Sequence, residues 1–131
     1  CQFPVRQYDI NLLDEGTRSK LMDAGQQVKD FLERHSDNQY LVIVEGQASA
    51  NSETWTEYNY NLSFQRALSL IKFWATNPKV KFSDKNCELQ ISGSGDGRLS
   101  AKTMRESVNE KNQRFLIYII PKNIIKKDVD Q

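Results

Sequence analysis

The run Leu41-Val42-Ile43-Val44 is rich in β-branched side chains and stops at Glu45-Gly46; a small, polar loop follows, and then a helical pattern that reaches Ala75. A strand of that kind has to be buried, and the helix after it has to fold back over the strand to bury its own apolar side. On such a helix Asn59, Leu62, Ser63 and Arg66 stand three, four and seven positions apart, so one face gathers an amide, a hydroxyl and a guanidinium. That face has the chemistry to read an anion.

The remaining elements repeat the same alternation. Leu21, Ala24, Val28, Phe31 and Leu32 recur at three- and four-residue intervals and predict an amphipathic helix from about Asp14 to Arg34. His35-Ser36-Asp37-Asn38 has turn chemistry, and the strand from Tyr40 to Val44 comes next. Thr54 and Glu57 have capping-box spacing for the start of the second helix, whose sheet-packing face is expected to include Phe64, Leu68, Ile71 and Trp74. Asn77-Pro78 stops it. Leu89 and Ile91 mark a further strand, Phe115 to Ile120 the last one, and Gln2 to Arg6 a short edge strand in which Pro4 lacks a backbone donor. Between Gly93 and Lys111 the chain is a polar connection with a helical turn near residues 101–108. The order is β-α-β-α-β-β, an α/β (α+β) two-layer sandwich with two main helices on one face of a mixed four-stranded sheet, with Ile117 and Ile119 in its core.

With 131 residues the chain suits one domain, taken as residues 1–121 followed by a flexible tail over 122–131. Eighteen basic and seventeen acidic residues leave a net charge of +1, which gives no electrostatic footprint for nucleic acid. Phe115–Ile120 is far shorter than the roughly 20 residues a membrane-spanning helix needs. Cys1 and Cys87 define neither a disulfide scaffold nor a metal site, although one bridge between them stays open. His35 is the sole histidine and sits beside a helix end; neither Cys87 nor any serine has a matching base and acid, so no enzyme and no cofactor are expected. Asp96-Gly97 after Gly93-Ser94-Gly95 lacks the lysine–hydroxyl pair of a phosphate loop and reads as a turn.

The motif residues resemble the OmpA/MotB/Pal-type peptidoglycan-associated domain, in which an apolar strand leads to Gly-His-Thr-Asp, a variable loop, and Asn-x-x-Leu-Ser-x-x-Arg-Ala on a helix. Gly46 matches the first position, and Asn59, Leu62, Ser63, Arg66 and Ala67 match the helix motif. Ile91-Ser92-Gly93-Ser94-Gly95 is similar to the family's strand ending in Gly-x-Gly, and Asn112-Gln113-Arg114-Phe115 to its Asn-Arg-Arg-Val. The chain departs from the pattern at Gln47, at Gln113, and at Ser49, where the usual residue is the aspartate that pairs with the ammonium of a stem-peptide diamino acid. Gly46-Gln47-Ala48-Ser49 follows a recurring Gly-x-Ala-Ser variant.

The resemblance implies a non-catalytic domain of the periplasm or bacterial cell envelope that binds peptidoglycan stem peptide and anchors a larger outer-membrane protein, lipoprotein or motor stator. It places the last strand between the first and second. Arg66 is then the carboxylate receptor, Asn59 a second polar contact, and Ala48, Ser49, Leu62, Tyr58 and Arg114 the remaining lining. Read on residues alone, Arg66 instead pairs with Glu57 or Glu53, Asn59 caps the helix, Arg114 holds the Gly93–Gly95 loop, and Tyr58 and Trp55 are anchors tucked onto the core. Glu45, Glu53 or Glu57 could supply the charge that Ser49 lacks. A homodimer fits the stator-type members, and membrane attachment would come only from segments outside this chain or from a lipid on Cys1. The rival expectation is a protein-interaction module of the same fold with a degenerate cleft.

Overall fold

The computed structural model describes Phe3 and residues 7–48, 56–80, 82, 85–95 and 114–124. A 3-10 turn at Ile10–Leu12 leads into α1 (Glu15–Arg34), β1 (Tyr40–Gly46), α2 (Thr56–Ala75), a second turn at Pro78–Val80, β2 (Cys87–Gly93) and β3 (Phe115–Pro121). β1 lies in the middle of a sheet of order β2-β1-β3. It runs parallel to β2, with Tyr40 opposite Cys87 and Gly46 opposite Gly93, and antiparallel to β3, with Tyr40 opposite Pro121 and Gly46 opposite Phe115.

Three strands are therefore present among the described residues where the sequence reading expects four. The last strand does lie beside Tyr40–Gly46. The expected edge strand at 2–6, the Thr54 cap, the helical turn at 101–108 and the tail fall outside the described residues, apart from Phe3 and the start of the tail. Phe3 is buried and meets Phe115 edge to face, ring centroids 6.1 Å apart.

α1 starts where Asp14 accepts the Thr17 backbone N–H at 2.7 Å, the N-cap bond that answers one of a helix's orphan donors. Its far end is closed from another element: the buried Asn86 donates its amide to the carbonyls of Leu32, at 3.0 Å, and His35, at 3.4 Å. Asn77 ends α2 with a local turn, its side chain accepting from the Lys79 N–H. Each helix turns a stripe inward. Val28 and Leu32 of α1 pack with Tyr40 and Val42, whereas Ala67, Leu70 and Trp74 of α2 pack with Val44, Ile10, Leu13 and Val80. The Trp74 indole N–H donates to the Leu21 carbonyl at 2.8 Å and ties α2 to α1.

The face of α2 that meets the sheet differs from the expectation. Trp74 and Ile71 pack inward, but Phe64 is 42% exposed, and the motif residues Asn59, Leu62, Ser63 and Arg66 are the buried ones. The reason is space. Gly46 and Gly93 are a registered pair on adjacent strands, and α2 passes directly over them. A Cβ on Gly46 would run into the Ser63 carbonyl oxygen, and one on Gly93 would come within 2.7 Å of the Phe64 nitrogen. Only a helix face of small and polar side chains can come that close, so the larger Phe64 is turned outward. Among the described residues no helix is long and apolar enough to cross a membrane, and Cys87 is a free thiol whose pKa is raised by burial.

Candidate functional site

At the C-terminal end of β1, backbone bonds hold two of the predicted residues, Ala48 and Arg114. Gln47 N–H donates to the Arg114 carbonyl at 2.9 Å, and Ala48 N–H to the Gly95 carbonyl at 2.8 Å. Ser63 closes this junction from above: its hydroxyl donates to the Tyr60 carbonyl and accepts the Gly95 N–H, both at 2.8 Å. The hydroxyl proton is therefore committed, and Ser63 serves the packing of strand ends against helix rather than the anion-reading role its spacing suggested. Leu62 and Ala48 are buried beside it, and Asn59 is 2% exposed and partnered. Tyr58 stands 39% exposed. Ser49, Trp55 and Glu53 lie outside the described residues.

Arg66 is the unusual member. Only 4% of it is exposed, yet no carboxylate faces it among the described residues: the ion pair found there joins Lys29 and Glu33 on α1, and Glu57 is solvent-exposed. Pairing with Glu57, one of the two partners read from residues alone, does not occur, and the other, Glu53, lies outside the described residues. Instead Nε donates to the Gln7 carbonyl at 3.0 Å, and the guanidinium carbon lies 4.5 Å from the centroid of the Phe3 ring. Burial lowers its pKa from the ordinary arginine value to about 10, partly opposed by Tyr58, so at neutral pH it remains a cation. A buried cation without an anion is costly, because low-dielectric surroundings replace its hydration without a counter-charge. A guest carboxylate would remove that cost.

Arg114 and Glu45 are satisfied by a different group. Arg114 Nε donates to Gln47 Oε1 at 3.0 Å, and Gln47 Nε2 donates to Glu45 Oε2 at 2.9 Å. Glu45 also accepts from Ser94 Oγ at 3.0 Å and from the Tyr118 hydroxyl at 3.3 Å. Strand alternation puts Glu45 on the side of β1 opposite the buried Tyr40, Val42, Val44 and Gly46, hence away from the helices that hold Arg66. Its carboxylate already takes three donors, so Glu45 is a poor substitute for the aspartate missing at Ser49. Arg114 binds Gln47 in the loop after β1, whereas the alternative reading has it hold the Gly93–Gly95 loop.

Two clefts lined by described residues lie elsewhere. One of about 730 Å³ runs between α1 and β3, past Val28, Phe31, Ile117 and Ile119; the other, about 280 Å³, lies between Tyr8–Asn11 and the outer side of α2. Neither is lined by a predicted site residue. The sequence reading missed Phe3 and Gln7, which sit 63 and 59 positions before Arg66; the signal that could have found them is the need of any buried guanidinium for a partner.

No family model matches the chain, and no curated protein does. Solved structures do. The peptidoglycan-associated lipoprotein of Burkholderia pseudomallei is similar with a TM-score of 0.51 and 17% identity, over 92% of this chain and 86% of that one. The C-terminal domain of Helicobacter pylori MotB gives 0.53 and 16%, over 94% and 83%. The OmpA-like domain of FopA1 from Francisella tularensis gives 0.52 and 17%, over 92% and 70%.

Proposed function

We propose that this OmpA/MotB/Pal-like fold is a non-catalytic anchor that binds the stem peptide of peptidoglycan in the bacterial envelope and holds a larger protein to the wall. Residues 1–121 form the binding unit. One observation carries the reading: Arg66, on the helix position that matches the family motif, is a buried cation with no carboxylate opposite it among the described residues. Its terminal amino groups make no hydrogen bond among the described residues and would grip a peptide carboxylate, with Asn59, Leu62, Ala48 and Tyr58 as the remaining contacts. Ser49 at the usual aspartate position shifts recognition toward the carboxylate end of the diamino acid and away from its ammonium. The periplasm is where such a ligand is met, and a paired copy of the chain would double its grip.

The test compares retention on isolated sacculi. The parent chain is retained; Arg66→Ala is released, with affinity down about ten- to a hundredfold for a charge-assisted contact of roughly 1.5–3 kcal/mol. Arg66→Met sharpens the result, because an apolar side chain of similar length removes the burial cost of the charge; its thermal midpoint holds or rises while retention is lost. Equal retention of parent and both variants refutes the site.

The burial of Arg66 together with Ser49 favours one second reading, a protein-interaction module whose ligand cleft has closed. Thermal shift separates the two. A diaminopimelate-containing muropeptide raises the midpoint of a wall binder and leaves that of a docking module unchanged.

A further inference from the structure

We infer that Phe3 and the Gln7 carbonyl are the positioning groups of the carboxylate site, locking Arg66 so that its two terminal amino groups, and not its Nε edge, meet the ligand; this rests on the reading of Arg66 given above. A guanidinium offers a carboxylate two bidentate edges, one formed by Nε with one terminal nitrogen and one by both terminal nitrogens. The Gln7 carbonyl occupies Nε at 3.0 Å, which removes the first. One π-face is covered by the Phe3 ring at 4.5 Å, and that ring is itself held edge to face by Phe115 of β3. The end-on edge remains, with the plane of the fork fixed.

The clamp is anchored along α2. Three residues after Gln7, the Ile10 N–H donates to Ser69 Oγ at 2.9 Å, and Ser69 is three residues after Arg66. The N-terminal segment thus touches α2 at matching steps one helical turn apart, and Ile10 is fully buried at the second. A side chain that would otherwise sample many rotamers is held in one before any ligand arrives, which lowers the ordering cost of binding. The site is thereby selective for a planar carboxylate presented end-on.

Phe3→Leu keeps an apolar side chain in the core and removes the ring; Phe3→Tyr keeps the ring. Calorimetric titration of each full chain with a diaminopimelate-containing muropeptide, alongside its thermal midpoint, tests the assignment. The expected result is an affinity loss per folded molecule of about three- to thirtyfold in Phe3→Leu, larger than its lowered midpoint accounts for at the titration temperature, recovery in Phe3→Tyr, and loss in Phe3→Leu of the ring-current shift on the Arg66 Nε–H NMR signal. Parent-like affinity in Phe3→Leu, or an affinity loss that only follows a fall in midpoint, overturns the positioning role and leaves the Arg66 site standing. A parent chain that does not bind the muropeptide overturns both.

Discussion

Arg66 and Arg114 both lie near the C-terminal end of β1, and the fold treats them in opposite ways. Arg114 belongs to a polar cluster in which the amide of Gln47 stands between a guanidinium and the Glu45 carboxylate, and that carboxylate also receives two hydroxyls. Arg66, on the helix side, has an aromatic ring and a backbone carbonyl but no counter-charge among the described residues. The first arrangement is complete without a guest. The second is electrostatically unfinished, which is the condition a binding site needs and a structural contact does not.

The largest effect that would break this contrast comes from the support that both regions share. Gly46→Ala puts a methyl group against the Ser63 carbonyl, which neither strand nor helix backbone can yield, and is expected to cost about 3 kcal/mol or more in urea unfolding and to abolish binding with it. A variant of near-parent stability would mean that α2 does not sit so close to β1. Glu45→Ala should separate the two regions. It leaves the Gln47 amide and the Tyr118 hydroxyl without this acceptor, while Ser94 keeps the Gly46 carbonyl, and costs about 1–2 kcal/mol; muropeptide affinity per folded molecule stays the same. Affinity that falls as steeply as for Arg66→Ala would move the site to the Glu45 cluster.

The smallest effect is in the alkaline limb, where the two regions pull in opposite directions. Burial and the neighbouring Glu45 raise the Tyr118 pKa above its ordinary 10. The folded state then holds a proton that the unfolded state releases, so this contribution is complete below pH 10 and is lost as pH rises through the raised value. Arg66 has the opposite sign. Its value of about 10 lies below the ordinary arginine value, so above pH 10 the unfolded state binds more protons, and stability from this source rises with pH there. Stability followed from pH 9 upward should fall less steeply in Tyr118→Phe than in the parent. Superimposable profiles would remove the Tyr118–Glu45 coupling.

Much of this was legible in the residues. Helical periodicity placed α1 and α2 within a residue or so of their observed bounds, and the β-branched runs located β1 and β3. Those signals are local, because a repeat of side chains along one segment reflects the face that segment buries. The orientation of α2 was not legible in the same way. Phe64 looked like a core residue and Arg66 like a displayed one, and hydropathy alone favours that choice. The glycine pair decided against it, since close approach over Gly46 and Gly93 admits Ser63 and excludes a bulky side chain.

The sequence by itself determined the layers, the order of the elements and the helix face on which the Arg66 cation stands, since each is written in spacing along one segment. Only the tertiary structure decided that this cation would be buried, which ring and which carbonyl would hold it, and that Glu45 would be spent on the other face of the sheet. Those contacts join residues about sixty positions apart, and their energies depend on how much water the packed elements exclude, a property of the assembled layers that no single segment carries.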